Sequence, residues 1–545
     1  LLRAESFSEG VADIKRVGEI FAFGEGRLID EEGIDWWSLR SLEILREAAL
    51  ILSFQHLAKK IPHSAELWST RKRSPASHLA RILCLPLRSY GESFVKRSLS
   101  HARHYARLPR YFSPAQMMEI FLDKYDPAYR WRARFAAHAL SSRQSVVLIP
   151  SAYTNVSRVA ADYARLLPEQ SFLLIATRRS ATLFDCPPNV KVRTLGVYAG
   201  TNSPQAECDQ LLEKWNRLLV DLRSDSGLEA LRQLGLFDGF PGTFAQGLAI
   251  RNAWRRVLER EPVCGVFCGD DTNANTRLPV SLAARRGLPT LDFHHGAMDG
   301  YYLVKQPPCD LYLAKTELER DYLLRVCGLA AGKVVVGAPI PSPKSFPGAH
   351  ATGKASEASA ASIVFFSEPY ENIGMRAEEV YRELLPALCR LASKTNRGVV
   401  LKLHPFESKS ARWEIVRSVL TPEERQKITI VSGPLSEDLL SRTWAGITVE
   451  STTVLDCAVR GIPCFLCEWL AFLPFGYLHQ YARFGAGQLL HSIDDVAEIP
   501  RKLAPQTNPD KNVIAVQEFR WRGVDPKLLS QWLGGQTLKT EAKRA

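Results

Sequence analysis

The chain has 545 residues, a formal charge of +12 and 46% hydrophobic residues. That length exceeds a single core and implies about two or three domains, and the ordinary apolar content excludes a disordered chain. Eleven cysteines in no regular framework exclude a disulfide scaffold, and no apolar run approaches the roughly 20 residues of a membrane-spanning helix. No signal-peptide pattern is read in the first thirty residues, so the expected location is cytoplasmic, or peripheral on the inner face of the plasma membrane.

Residues 1–140 read as a mostly helical region. "RSLEILREAALILSFQHLAKKI" (40–61) repeats its apolar positions at helical spacing, and Ser113 with Pro114 opens a second helix. Before them, "RVGEIFAFGEGRLIDEEGIDWWSL" has the short runs and glycines of a small hairpin. Between Arg71 and Arg110 stand ten Lys or Arg against one acid, Glu92. Interleaved with Leu, Ile, Phe and Tyr, this basic segment 71–110 suits an anionic membrane surface or a polyanionic acceptor, and equally a solvated helix face. No nucleic-acid motif accompanies the charge, so nucleic acid is not an expected partner.

From 141 to 340 the texture is that of a Rossmann-like domain. Buried strand-like runs at 145–150, 172–179, 190–199, 263–271, 289–296, 310–316 and 333–339 are spaced by amphipathic segments, among them helices at 205–222 and 273–286. Residues 341–361 are rich in Pro, Ala, Ser and Gly and read as a linker. A second Rossmann-like domain follows at 362–510, with strands at 362–369, 398–405, 427–433, 445–449 and 462–469, and a C-terminal tail or helix occupies 511–545. The expected fold class is therefore α/β: two doubly wound domains facing across a cleft, with a helical N-terminal extension.

Chemistry gathers where strands end. In "GVVLKLHPFES" (398–408), Pro405 ends a strand and leaves His404 as its last extended residue, with Lys402 two before it. In "GITVESTTVLDCAVRGIP" (446–463), a buried strand stops at Glu450, and Ser451, Thr452 and Thr453 open a helix. Hydroxyls and open backbone N–H groups there form an anion site; the alternative is plain N-capping. In "SEPYEN", Ser367 and Glu368 close the first strand of the same domain. In the earlier domain, "CGDDTNANTRLP" puts Asp270 and Asp271 at a strand end, and "FHHGAMDGYY" puts His294, His295 and Asp299 after the next strand. Cys264 with Cys268 and Cys464 with Cys467 lack a second pair at zinc spacing, and no Asp-X-Asp motif is suitably placed, so no metal is expected.

"KLHP", followed by an acidic strand end, a Ser/Thr run and a helix reaching "GIP", resembles the bacterial GT-B fold transferases of surface-polymer synthesis. These are the capsule glycosyltransferases, the sialyl- and polysialyltransferases and the CDP-glycerol glycerophosphotransferases. The resemblance covers mainly residues 263–470. It implies a glycosyltransferase of polysaccharide or capsule biosynthesis, moving a sugar from a nucleotide-sugar co-substrate, CMP- or UDP-linked, to a surface polysaccharide or lipid-linked glycan. It further implies that His404, Ser451 and Thr452 contact the donor phosphates, with Glu450 near the ribose or sugar; Lys402, Thr453 and Glu368 complete the expected donor site. His295 with Gly296 is similar to the His-Gly of the glycerophosphotransferases, and Asp270 with Asp271 to the acidic pair of the sialyltransferases, although Thr272 stands where a glycine normally follows. The base stays open among Asp270, Asp271, His294, His295 and Asp299. Transfer of a CDP-linked polyol phosphate, and a noncatalytic scaffold binding glycan or membrane, are the alternatives; UDP-sugar epimerases share the two-domain architecture.

Overall fold

A computed structural model describes residues 16–19, 28–59, 61, 66–69, 76–89, 145–182, 184–200, 204–295, 309–339, 361–370, 377–404, 407–433, 435–471, 477–503 and 522–534. Residues 341–360 of the expected linker, the helix at Ser113, Asp299 and most of the basic segment lie outside these residues. Of that segment, Arg81 pairs with Asp238 at 2.5 Å and Arg88 with Glu66 at 3.4 Å.

The N-terminal part contributes helices α1 (Trp36–Ala58) and α2 (Ala76–Leu83), with two short parallel strands, β1 (Leu67–Ser69) and β2 (Leu87–Ser89). The expected hairpin at 16–39 needs correction: residues 16–19 are helical, residues 36–39 are the first turn of α1, and a bridge between Ile29 and Asp35 is the strand-like pairing among its described residues.

A seven-stranded parallel sheet follows: β3 (Val146–Ser151), β4 (Phe172–Ala176), β5 (Val190–Thr194), β6 (Val263–Cys268), β7 (Thr290–Phe293), β8 (Leu311–Ala314) and β9 (Val334–Val336). Its order is β5-β4-β3-β6-β7-β8-β9, so the chain reverses direction of growth between β3 and β6. Around it lie α3 (Thr154–Arg165), α4 (Gln205–Leu222), α5 (Ser226–Gln233), α6 (Phe244–Arg260), α7 (Ala274–Arg285) and α8 (Glu317–Arg325). Sequence periodicity missed α5 and α6. α5 is only eight residues long, and Gly247 and Arg251 interrupt the buried stripe of α6.

The N-terminal part docks on α6. Trp36 packs so closely on Gly247 that a Cβ there would lie 2.3 Å from its ring, and Phe244 meets the same indole edge-on at 6.2 Å. Asp30, held by Trp36 Nε1 at 2.9 Å, accepts from the buried Arg251 guanidinium at 2.7 Å. The ion pair thus has the extra hydrogen bond that a buried charge requires.

A six-stranded parallel sheet is built from β10 (Ser362–Phe366), β11 (Val399–Lys402), β12 (Ile428–Val431), β13 (Thr443–Thr448), β14 (Cys464–Cys467) and β15 (Gln488–Leu490), in the order β12-β11-β10-β13-β14-β15. Here the reversal falls between β10 and β13. Ile363, Phe365, Leu401, Ile447 and Phe465 form its core with Leu384 and Leu388 of α9 (Ala377–Thr395). Helices α10 (Lys409–Val419), α11 (Glu437–Ser441), α12 (Thr453–Ala458) and α13 (Tyr477–Arg483) lie between its strands in the sequence. Edge strand β15 carries only three residues and no alternation, which hid it from a pattern reading.

By contacts the chain divides into two compact units. One comprises the described residues up to 295 with 309–313 and 525–534; the other is 314–524. The last helix, α14 (Pro526–Leu533), belongs to the first of these, and its Leu533 carbonyl would lie 2.8 Å from a Cβ on Gly265 of β6. The fold is α/β, with two parallel sheets wound in the same sense and a helical N-terminal region.

Candidate functional site

In an open parallel sheet, ligands bind beyond the carboxyl ends of the strands where the strand order reverses. In the second unit the backbone register makes that edge explicit. Phe366 pairs with Lys402 on one side and with Thr448 on the other. Two residues further along each chain stand Glu368, His404 and Glu450, which therefore form one row at the reversal between β10 and β13.

Glu368 is partly buried. Its Oε1 accepts from Glu450 N at 2.8 Å and lies 3.2 Å from the Thr448 hydroxyl. Burial pushes its carboxyl up to about 7, against those two hydrogen bonds, which favour the charged form. Glu450 is buried beside it. His404 is half-buried, and burial followed by the neighbouring Lys402 charge lowers its pKa, so the imidazole is neutral at pH 7. Lys402 is turned inward: its ammonium donates to Leu403 O at 2.8 Å and to Gly433 O at 2.7 Å, joining the ends of β11 and β12.

Glu407, absent from the expected set, organises this edge. Its Oε2 accepts from His404 N at 2.7 Å, while Glu407 N donates back to His404 O at 2.9 Å. This reciprocal pair closes the turn after β11 in the manner of a capping box. Its Oε1 accepts from Arg412 Nε at 2.6 Å and from the Ser367 hydroxyl at 2.9 Å. The carboxylate is fully enclosed; burial raises its pKa, and the His404 amide and Arg412 pull it back. The spacing His404-x-x-Glu407 was the available signal, but Ser367, the third partner, lies 40 residues away.

The expectation of open donors at the start of α12 needs correction. Glu450 N is taken by Glu368, Ser451 N by the Thr448 hydroxyl at 3.2 Å, and Thr453 N by the Ser451 hydroxyl at 3.3 Å. Thr453 Oγ1 also lies 3.1 Å from Ser451 Oγ, and Thr452 occupies the N-cap position with no side-chain cap. Buried amides find partners wherever side chains reach them. Thr453 Oγ1 spends its proton on Ser451 Oγ, which leaves the Ser451 and Thr452 hydroxyls as the donors here.

In the first unit the corresponding row lies across β4, β3, β6 and β7. Cys268 pairs with Asp292, so Asp270 and His294 stand two residues beyond that pair, and Asp271 and His295 three. Asp270, Asp271 and His294 are all buried. Asp270 Oδ1 accepts from Thr272 at 2.8 Å, its carbonyl accepts from Thr276, and Asn273 caps α7. Neither aspartate is the cap of that helix. His295 Nδ1 lies 2.6 Å from Gly269 O. A carbonyl only accepts, so Nδ1 carries the proton. The structure thus brings Asp270, Asp271, His294 and His295 to one edge, and Glu368, Lys402, His404, Glu450, Ser451, Thr452 and Thr453 to the other.

The eleven cysteines form no disulfide, and among the described residues no group of three or more His, Cys, Asp or Glu is placed to hold a metal ion. Among the described residues no helix is long and apolar enough to cross a membrane.

No family model matches the chain, and no curated protein sequence matches it. Among solved structures, it is similar to UDP-GlcNAc 2-epimerase from Neisseria meningitidis (14% identity, TM-score 0.42, covering 72% of this chain and 99% of that one). It is also similar to a glycosyltransferase from Rickettsia africae (10%, 0.38, 74% and 97%) and to UDP-GlcNAc 2-epimerase from Methanocaldococcus jannaschii (12%, 0.38, 74% and 100%). Likeness of this size fixes neither a family nor a reaction.

Proposed function

We propose that the chain is a nucleotide-sugar-dependent glycosyltransferase of the GT-B kind, moving a sugar to a surface-polysaccharide or lipid-linked glycan acceptor. The observation that carries this reading is the row Glu368–His404–Glu450 at the strand-order reversal of the second sheet, with the Ser451, Thr452 and Thr453 hydroxyls beside it. A nucleotide diphosphate needs donors for its phosphates and acceptors for its ribose, and this edge has both. A neutral imidazole donates to a phosphate oxygen and gains affinity for a proton as charge builds on the leaving group. The hydroxyls of Ser451 and Thr452 add donors, while Glu368 and Glu450 accept from ribose or sugar hydroxyls.

In the transfer, the bond from the sugar's anomeric carbon to phosphate oxygen breaks and the nucleotide leaves with the electron pair. The acceptor oxygen forms the new bond and loses its proton to a base. We assign the acceptor side to the first unit, where His295 Nε2 and the carboxylates of Asp270 and Asp271 are the candidates. His295 is preferred because its Nδ1–H is already committed to Gly269 O.

The test is a thermal-shift series with CMP, CDP, UDP and GDP on the wild-type chain and on His404→Ala, followed by detection of nucleotide released from the matching sugar donor. Stabilisation by one nucleotide, lost in the variant together with turnover, is the expected result, since a ligand that binds only the folded state raises its stability. A variant that keeps full turnover would remove His404 from the donor site. Transfer of the phosphate with its polyol, leaving CMP, would identify the glycerophosphotransferase-type reaction instead.

A further inference from the structure

The reversal in the first sheet lies between β3 and β6, and the residues that follow β3 and its other neighbour β4 have no part in the chemistry above. Ser151 pairs with Ala176 across β3 and β4, so Tyr153 and Arg178 stand side by side two residues further on. The Arg178 guanidinium carbon lies 5.0 Å from the centre of the Tyr153 ring. Tyr153 is 38% exposed, one of four large hydrophobic side chains exposed among the described residues.

This is not a loosely held loop. Ser151 and Ser157, both fully buried, approach through their hydroxyls at 2.9 Å. Ser157 Oγ donates to Ala181 O at 2.6 Å, so Ser151 is the donor in the pair, and its Oγ also lies 3.2 Å from Tyr153 O. Thr177 N donates to Ser151 O at 2.8 Å. Two serines thus tie the end of β3, the start of α3 and the turn after β4 into one knot, which displays the ring and the guanidinium together. Tyr153 also occupies the N-cap position of α3, where it makes no side-chain cap. Ser, Thr, Asp or Asn there would stabilise the helix, and an exposed aromatic forgoes burial as well. A locally unfavourable residue held in a rigid frame marks a functional position.

We infer that Tyr153 and Arg178 form a glycan-binding platform that takes a sugar ring carrying an anionic substituent. The guanidinium lies over one face of the tyrosine ring, so the C–H face of the sugar stacks on the opposite face, and the guanidinium pairs with a carboxylate or phosphate on that sugar or its neighbour. This deepens the glycosyltransferase reading, on which it rests for the role of the ligand as acceptor; the binding itself does not depend on that reading.

The experiment is equilibrium binding of the full chain to three probes: oligogalacturonate, a glycerol-phosphate oligomer and neutral maltohexaose. The wild-type chain is expected to bind one of the anionic oligomers, which separates carboxylate from phosphate recognition, and to leave maltohexaose unbound. Tyr153→Ala and Arg178→Ala should each weaken that binding by about tenfold or more, and Tyr153→Phe, which keeps the ring, by no more than about twofold. Nucleotide-induced thermal stabilisation should be the same in all three variants. If the wild-type chain shows no nucleotide shift but glycan binding falls in Tyr153→Ala and Arg178→Ala, the transferase reading fails and the platform stands. Failure of the wild-type chain to bind either anionic oligomer, or unchanged binding in the two alanine variants, overturns the platform.

Discussion

The two sheets share one winding and differ in what holds the strand ends at their reversals. In the second, carboxylates do it: Glu368 takes an amide from the neighbouring strand end, and Glu407 takes an amide, a guanidinium and a hydroxyl. In the first, hydroxyls do it: Ser151 and Ser157 tie three segments, and Thr276 holds the carbonyl of Asp270. Strand order fixes where a ligand can approach; the side chains fix the chemistry and how the edge responds to pH.

The sharpest way to break that contrast is Glu407→Ala. It strips partners from His404 N and Ser367 and leaves Arg412 buried without its carboxylate, so unfolding in urea should show a loss of about 3–5 kcal/mol. A loss under about 1 kcal/mol would mean that the second edge is not held by this carboxylate.

Next comes Glu368→Gln, read against pH. The carboxyl titrates near 7 in the folded chain, above its ordinary 4.5, so between those values the folded state binds more protons than the unfolded state. Stability from this group is therefore complete below about pH 4.5 and falls as the pH rises through 7. Glutamine keeps the acceptor for Glu450 N and cannot ionise. The variant should match the wild type near pH 5 and exceed it at pH 8, by an amount on the order of 2 kcal/mol. Parallel pH profiles for the two proteins would contradict the assignment. The smallest effect belongs to the first edge: Ser151→Ala should cost about 1 kcal/mol with no dependence on pH between 5 and 8, because hydroxyls do not titrate there.

Much of this architecture was legible from local pattern. Runs such as Val146–Pro150 and Ile363–Phe366 are apolar on both faces, as strands of a covered parallel sheet must be. Pro405 points to a strand end close by, but β11 stops at Lys402, so His404 stands two residues beyond the strand and is not its last residue. What escaped depends on partners far away in the chain. Arg412 and Glu407 look like ordinary surface charges until Ser367 and the turn after β11 enclose them. In sequence the start of α12 looks open because one of the side chains that fill it, Glu368, stands beyond the end of β10, 80 residues before Thr448. Tyr153 gave no signal, since a residue at an N-cap position is conspicuous only once the helix boundary is known.

Helix α14 has one more consequence. Leu529 and Leu533 are fully buried, and α14 belongs to the unit of the first sheet although its residues follow the entire second sheet. During synthesis the strands from β3 to β8 emerge long before the helix that covers Gly265. The first unit therefore reaches its finished state only after the second has left the ribosome, against the usual order in which N-terminal domains fold first. Until then the surface of β6 beside Gly265 lacks the helix that covers it in the finished fold.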